Sequence, residues 1–348
     1  MRFDNPILNH QFKKFKDIAD HDELTKEYRN NRRIDLEPLR QSLKKKKLSQ
    51  FNTILSQIIN ETKKDIPICK EEINETHKLR KKLNQYFNYY SQFKVNSKKI
   101  KSKIFDNLYN YGFHSCDLDL KKIINKDIEK KYSILCKKKD WTPPPGTHDR
   151  WLELNKASVE KINKVFRNNG LIEASEAYYS KKMKVTRVRM TINRPSDKAW
   201  MQFLYDCKRT TKHTGVHIDP LEGVTKAMIY LSNVKDENGP TSYLPRSNRF
   251  IYDPLQSLFA RSVVAANWCH NTISRRSIFR FPKELRVTTE IGRLIKDNSK
   301  TAKFLDKNFF SFTSDKGNTL LFDSGAGIHT GGVVKKGERI ALMVVIDG

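Results

Sequence analysis

The chemistry of this chain starts from two side chains two residues apart, His217 and Asp219, in the run His217-Ile218-Asp219. On an extended segment such residues point to the same side, so an imidazole and a carboxylate can converge on one ion. A second imidazole, His329, follows about 110 residues later in Phe322-Asp-Ser-Gly-Ala-Gly-Ile-His-Thr-Gly-Gly332. Two histidines and one carboxylate make the facial triad of non-haem Fe(II) oxygenases, which leaves positions open for a cosubstrate and O2. By themselves these residues are a weak signal, because His and Asp are common and an exposed turn explains either half. Arg339, ten residues after His329 at the head of a β-type run, adds a second layer. A guanidinium grips a carboxylate with two parallel hydrogen bonds, as holding the far end of 2-oxoglutarate beside a metal requires.

Other residues near these four have two readings each. His213 could line the site, or serve as a ligand only in a different register. Thr330, next to His329, could bond a cosubstrate or simply shape a turn. Lys226 and Tyr230 lie on the β-run after His217-Ile-Asp219, where alternation could turn one of them inward. Asp323 could orient a histidine or end a strand. Ser274-Arg-Arg-Ser-Ile-Phe-Arg-Phe281 could clamp an anionic group, or be a solvated basic face over an apolar anchor. Trp200, Tyr178 and Tyr179 could line a pocket or pack in the core, and His270 reads as a packed or hydrogen-bonded residue. His10, His21, His77, His114 and His148 have no partner pattern.

The elements that must carry these residues change character along the chain. The first 140 residues read as helical: Leu48, Phe51, Leu55 and Ile58 repeat at 3-4-3 spacing, and Leu79, Leu83, Phe87 and Tyr90 form a similar stripe. The stretch from Ile100 stops at Gly112, a plausible helix end, and Leu120 through Tyr132 reads as another helix. Lys44 to Lys47 reads as a solvated helix face. Pro143-Pro144-Pro145-Gly146 is the strongest punctuation. A helix over Ser158 to Asn169 closes at Gly170. Short β-type runs follow at 185–192, 227–231, 241–244, 309–312, 319–322 and 340–346, several separated by Asn/Gly/Pro/Asp turns. Such strands suggest an antiparallel sandwich or barrel.

Composition narrows the class. The chain has 348 residues and a formal charge of +28, with 19 Phe, 13 Tyr and 4 Trp, too much large apolar surface for a solvated coil. The basic excess is spread evenly over both halves, which argues against a dedicated nucleic-acid arm. No apolar run approaches the roughly 20 residues that cross a bilayer, and no secretory signal is visible behind Met1-Arg2. Five cysteines without CxxC spacing read as reduced thiols, so a cytoplasmic location is expected.

Four stretches in order resemble the phytanoyl-CoA dioxygenase family. They are His217-Ile-Asp219; Lys226 through Pro240, with its Glu237-Asn-Gly-Pro240 turn; Tyr243-Leu-Pro-Arg-Ser-Asn-Arg249; and Gly317-Asn-Thr-Leu-Leu-Phe-Asp-Ser324 followed by His329. Arg339 falls where that family's cosubstrate arginine is expected, and the resemblance covers roughly residues 185–348. It implies an α+β protein with a double-stranded β-helix (jelly-roll, cupin-like) core, Fe(II) on His217, Asp219 and His329, and 2-oxoglutarate on Arg339. The activity implied is an Fe(II)- and 2-oxoglutarate-dependent dioxygenase that consumes O2, hydroxylates a small molecule and releases succinate and CO2. The alternatives are an oxygenase acting on nucleic acid or a protein side chain, and a non-catalytic binding module. The metal's carboxylate at Asp219 favours hydroxylation over halogenation. The expected organisation is a helical region at 1–99 and an oxygenase domain at 100–348, with core strands from about 184 and an insert between Tyr252 and Asn308. Where the family has "PGSH", this chain has Pro245-Arg-Ser-Asn248, a change in a turn. The insert's arginines favour an anionic substrate, and a basic mouth draws the dianion 2-oxoglutarate. Oligomeric state and the prime substrate are not encoded in any motif.

Overall fold

A computed structural model of the chain describes residues 34–65, 68–90, 102–137, 150–195, 213, 215–219, 223–249, 254–266, 281, 295 and 297–348. Among the described residues three helices come first: α1 (Glu37–Lys44), α2 (Leu48–Asp65) and α3 (Lys70–Tyr90). The apolar stripes read from the sequence are their buried faces, with Phe51, Leu55, Leu79, Leu83 and Phe87 all withdrawn from water. These faces pack with Leu255, Leu258, Phe259 and Val263 of a helix far along the chain, α9 (Pro254–Ala265), and with Phe281. The first helices therefore share a core with α9, and Phe281 is an apolar anchor of that core. The basic residues before Phe281, with His270, Trp200 and the Pro143–Gly146 stretch, lie outside the described residues.

Helix α4 (Lys103–Tyr111) begins where the Ser102 hydroxyl accepts from the Phe105 amide at 3.4 Å, and ends at Gly112, whose φ of 86° suits a residue without a Cβ. The helical reading of the first 140 residues then fails. Phe113–Asp117 is a strand, β1, paired with β7 (Asn318–Asp323). The expected helix from Leu120 to Tyr132 is two pieces, α5 (Leu120–Ile123) and α6 (Lys126–Lys137). A second unexpected strand, β2 (Arg150–Glu153), precedes α7 (Lys156–Asn168) and α8 (Leu171–Tyr179).

The remaining strands are β3 (Lys184–Asn193), β4 (Thr225–Tyr230), β5 (Thr241–Tyr243), β6 (Phe310–Ser311), β8 (His329–Gly331) and β9 (Arg339–Asp347), with α10 (Lys300–Asn308) before β6. They form two antiparallel sheets, one ordered β1-β7-β4-β9-β3-β2 and one ordered β6-β5-β8. Period-two alternation sorts the large sheet's faces. Ile340, Leu342, Val344 and Ile346 of β9, with Ala227 and Ile229 of β4, pack under the helices α4 to α8. Ala341, Met228, Tyr230, Leu320 and Phe322 face the other way and meet Tyr243 of the small sheet. Lys226 shares a face with Met228 and Tyr230, and Arg339 with Ala341, so both cations project from that second face.

Candidate metal centre

Alternation at residues 216–219 decides where the first pair points. Val216 and Ile218 are buried with Ile295, Ala302 and Leu305, the last two on α10, and with Leu244 and Ile328. Each contributes roughly 1.5–3 kcal/mol by leaving water, which holds the segment in this register. His217 and Asp219 are thereby turned to the opposite side. A two-way backbone bridge joins His217 to His329, with both N···O distances 2.9 Å. Asp219 is tied in turn by its amide, which donates to the Ser324 carbonyl at 2.8 Å.

The side chains meet. His217 Nε2 lies 3.6 Å from Asp219 Oδ1, and His329 Nε2 lies 3.7 Å from Asp219 Oδ2. One ligand atom from each of the three residues falls within 4.8 Å of the others, and the group is able to hold a metal ion. The ring tautomers follow from their other nitrogens. His217 Nδ1 donates to the Gly215 carbonyl at 2.8 Å and His329 Nδ1 to the Gly327 carbonyl at 2.9 Å, since a carbonyl can only accept. A neutral ring of this tautomer turns its Nε2 lone pair inward. Burial and the neighbouring His217 push the His329 pKa down to about 3, against the pull of Asp219, so this ring is neutral near pH 7. Burial acts to raise the Asp219 carboxyl, but the Lys226 ammonium and both imidazoles hold it well below the usual carboxylate range. With their Nε2 atoms deprotonated, two imidazoles and a carboxylate converging in this way are the donor set of a cation site.

Arg339 is 5% exposed, a rare place for a guanidinium. Its Nη1 donates to the Gly332 carbonyl at 3.4 Å, and its buried Nε has no hydrogen-bond partner. A Cβ on Gly331 would lie 3.8 Å from Nη2, so the guanidinium runs beside the strand that carries His329. Among the described residues no carboxylate pairs with Arg339 within 4.0 Å; its nearest polar company is backbone. The buried guanidinium therefore keeps a donor for which the described residues supply no acceptor.

The segment from Asp323 to His329 is held by contacts remote in sequence. The Asp323 carboxylate accepts from the Tyr178 hydroxyl at 2.8 Å, the Tyr179 hydroxyl at 2.6 Å and the amides of Gly325 and Ala326 at 3.1 and 2.9 Å. Burial, the largest influence, leaves this carboxyl above its ordinary range despite those donors. Asp323 is therefore the strand-end turn residue, and no histidine is among these partners. Ser247 Oγ accepts from the Ile328 amide at 2.8 Å, so the altered Pro245–Asn248 turn still braces the histidine strand. Asn248 Nδ2 donates to the Leu108 carbonyl and to Tyr178 Oη at 3.0 and 2.9 Å. The hydroxyls of Tyr178 and Tyr179 have no sequence signal, since a pair of aromatic residues reads first as core.

The other candidates are placed as follows. His213 is buried against α10, with Nε2 2.9 Å from Asp306 Oδ1, and is not in the metal group. Thr330 sits on β8, where its hydroxyl donates to the Gly331 carbonyl at 3.3 Å and its oxygen lies against Gly215. Tyr230 is fully buried and its hydroxyl accepts from the Thr241 amide at 3.0 Å, a structural contact. Lys226 instead reaches the metal group, with Nζ 2.5 Å from Asp219 Oδ2. Alternation could not separate these two, because residues four apart on a strand share a face.

No family model and no curated protein matches the chain. Among solved structures, similar ones include the non-haem α-ketoglutarate-dependent epimerase SnoN from nogalamycin biosynthesis, at 9% identity and TM-score 0.39, covering 70% of this chain and 80% of that one. EctD from S. alaskensis is similar at 12% identity and TM-score 0.43, covering 74% and 80%. HygX from Streptomyces hygroscopicus, solved with nickel and 2-oxoglutarate bound, is similar at 11% identity and TM-score 0.40, covering 72% and 87%. At such identities and TM-scores the chemistry of the centre rests on its own geometry. No helix among the described residues is long and apolar enough to cross a membrane.

Proposed function

We propose that this chain is an Fe(II)- and 2-oxoglutarate-dependent oxygenase that hydroxylates a small molecule, of the kind found in the phytanoyl-CoA dioxygenase family. The observation that carries this reading is the convergence of His217 Nε2, the Asp219 carboxylate and His329 Nε2 within 4.8 Å, near a buried guanidinium with an unused donor. Three protein ligands leave open positions on an iron, and the bound metal with 2-oxoglutarate would supply the oxidising power for hydroxylation. The chain's own residues do the rest. His217 and His329 present lone pairs fixed by their carbonyl partners. Asp219 brings the negative charge that favours a divalent ion. Arg339 would bind the far carboxylate of 2-oxoglutarate and so set the angle at which its other end meets the metal. We further read the two sheets as a double-stranded β-helix within residues 100–348, with 1–99 as a helical addition and a cytoplasmic location.

The test is turnover of 2-oxoglutarate. Full-length protein with Fe(II), O2 and 2-oxoglutarate should release succinate, accelerated by the right member of a panel of small, chiefly anionic, metabolites. Succinate production that survives unchanged in Asp219→Ala, or a protein that binds neither Fe(II) nor 2-oxoglutarate, would reject the reading.

A further inference from the structure

The carboxylate proposed as a metal ligand already has a cation on it. Lys226 Nζ lies 2.5 Å from Asp219 Oδ2, the oxygen that also faces His329 Nε2 at 3.7 Å. The two side chains are largely out of water, at 18% and 11% exposure. The contact is one of charge and not of direction, for Oδ2 is buried and has no partner in hydrogen-bonding geometry. Nor is Lys226 a surface residue folded over an edge. Its place on β4, opposite Phe322 and Val345 and in phase with Met228 and Tyr230, aims it between the sheets.

An ammonium in this position opposes a divalent metal on the same carboxylate. Held by three ligands, the metal would sit a few ångströms from Nζ, where like charges in a partly desolvated site repel strongly. A lysine is a point charge on a flexible stem, so it can withdraw, but only toward another anion or water. An acid bound beside the metal provides that anion, and Arg339 at the far end of the same face takes a second carboxylate. Resting on the metal-centre reading above, we propose that Lys226 is the counter-ion of the metal-free site, displaced by the metal and received by an anionic ligand bound alongside it. Metal and anionic cosubstrate then load together, and the empty centre discriminates against metal alone.

The experiment is calorimetric titration of the full chain with Mn(II), anaerobically, with and without 2-oxoglutarate. In the wild-type protein, 2-oxoglutarate should tighten Mn(II) binding. Lys226→Met should bind Mn(II) alone about tenfold more tightly than wild type, one short-range charge repulsion being removed, and should show a smaller enhancement by 2-oxoglutarate, the remainder coming from its direct contact with the metal. Lys226→Arg, which keeps the charge, should behave as wild type, and Lys226→Gln repeats the test should the methionine variant fail to fold. Equal or weaker Mn(II) binding by Lys226→Met, with the full enhancement retained, overturns the inference. If Asp219→Ala abolishes Mn(II) binding in that same series, the metal centre stands and the role of Lys226 alone falls. If wild type binds no Mn(II) under either condition, both fall.

Discussion

The amides of His217 and His329 each donate to the other's carbonyl, both at 2.9 Å, and their rings lie 4.3 Å apart between centroids. Residues directly opposite on an antiparallel bridge project to the same face. The bridge thus converts a sequence separation of about 110 residues into a pair of imidazoles with one shared front.

Because the backbone makes that bridge, removing either ring should spare the fold and cost the metal. His217→Ala and His329→Ala are each expected to weaken Mn(II) binding by more than the roughly 10–100-fold that outer-layer partners cost. In the wild type, Mn(II) at about 100 times its Kd should stabilise the fold by about 2.7 kcal/mol, reversed by EDTA. Thermal melts of the three proteins with and without Mn(II) check this; a metal-induced rise that persists in either variant contradicts it.

Arg339 should matter to binding and little to stability. Its buried Nε has no partner, so Arg339→Met removes an unsatisfied charge and fills similar volume. Loss of a charge-assisted pair to a carboxylate costs about 3 kcal/mol, or about 150-fold in affinity for 2-oxoglutarate. Titration of the Mn(II)-loaded variant with 2-oxoglutarate, alongside a denaturant melt, would show this split. Unchanged affinity would remove Arg339 from the cosubstrate site.

Asp323 should show the reverse pattern. Asparagine there puts an amide NH2 among two tyrosine hydroxyls and two backbone donors, leaving at least one of them unmatched. Asp323→Asn is expected to destabilise the fold by about 1–3 kcal/mol. It should also weaken Mn(II) binding, because Gly327, the acceptor for His329 Nδ1, is the end of the same turn. Gly327→Ala tests this turn from the other side, since a Cβ there would overlap the Tyr243 hydroxyl. Variants with full stability and full metal affinity would contradict this role.

Cys116 offers a pH-dependent test of the sheet's edge. Burial, helped by Asp117, pushes its thiol up to about 11, so almost none is thiolate at pH 8. Iodoacetamide at pH 8 should therefore modify exposed Cys69 well before Cys116, and Cys116 should gain reactivity as the pH rises toward 11. Peptide mapping by mass spectrometry reads both sites. Equal labelling at pH 8 would mean that the core does not shelter Cys116 on β1.

The parts of the fold written in local alternation were readable from sequence: β3, β4, β5, β7 and β9 fall on the expected runs, as do the buried stripes of α2 and α3. The spacing of His217 and Asp219 likewise carries its geometry within three residues. What escaped has a physical reason. β1 is five residues at a sheet edge with an irregular burial pattern, so it has no period to read. α8 buries Leu171, Ile172, Ala174, Ser175, Ala177 and Tyr178, around most of its circumference, and so has no single stripe. The Tyr178–Asp323 bond and the Lys226–Asp219 pair depend on how elements stack, which local spacing does not encode.

The most direct measurement is an anaerobic crystal structure of the full chain with Mn(II) and 2-oxoglutarate, with the metal located by anomalous scattering. The expected result is Mn(II) on His217 Nε2, His329 Nε2 and the Asp219 carboxylate, with a 2-oxoglutarate carboxylate on Arg339. A metal bound elsewhere, or 2-oxoglutarate that leaves Arg339 untouched, would contradict the proposed centre.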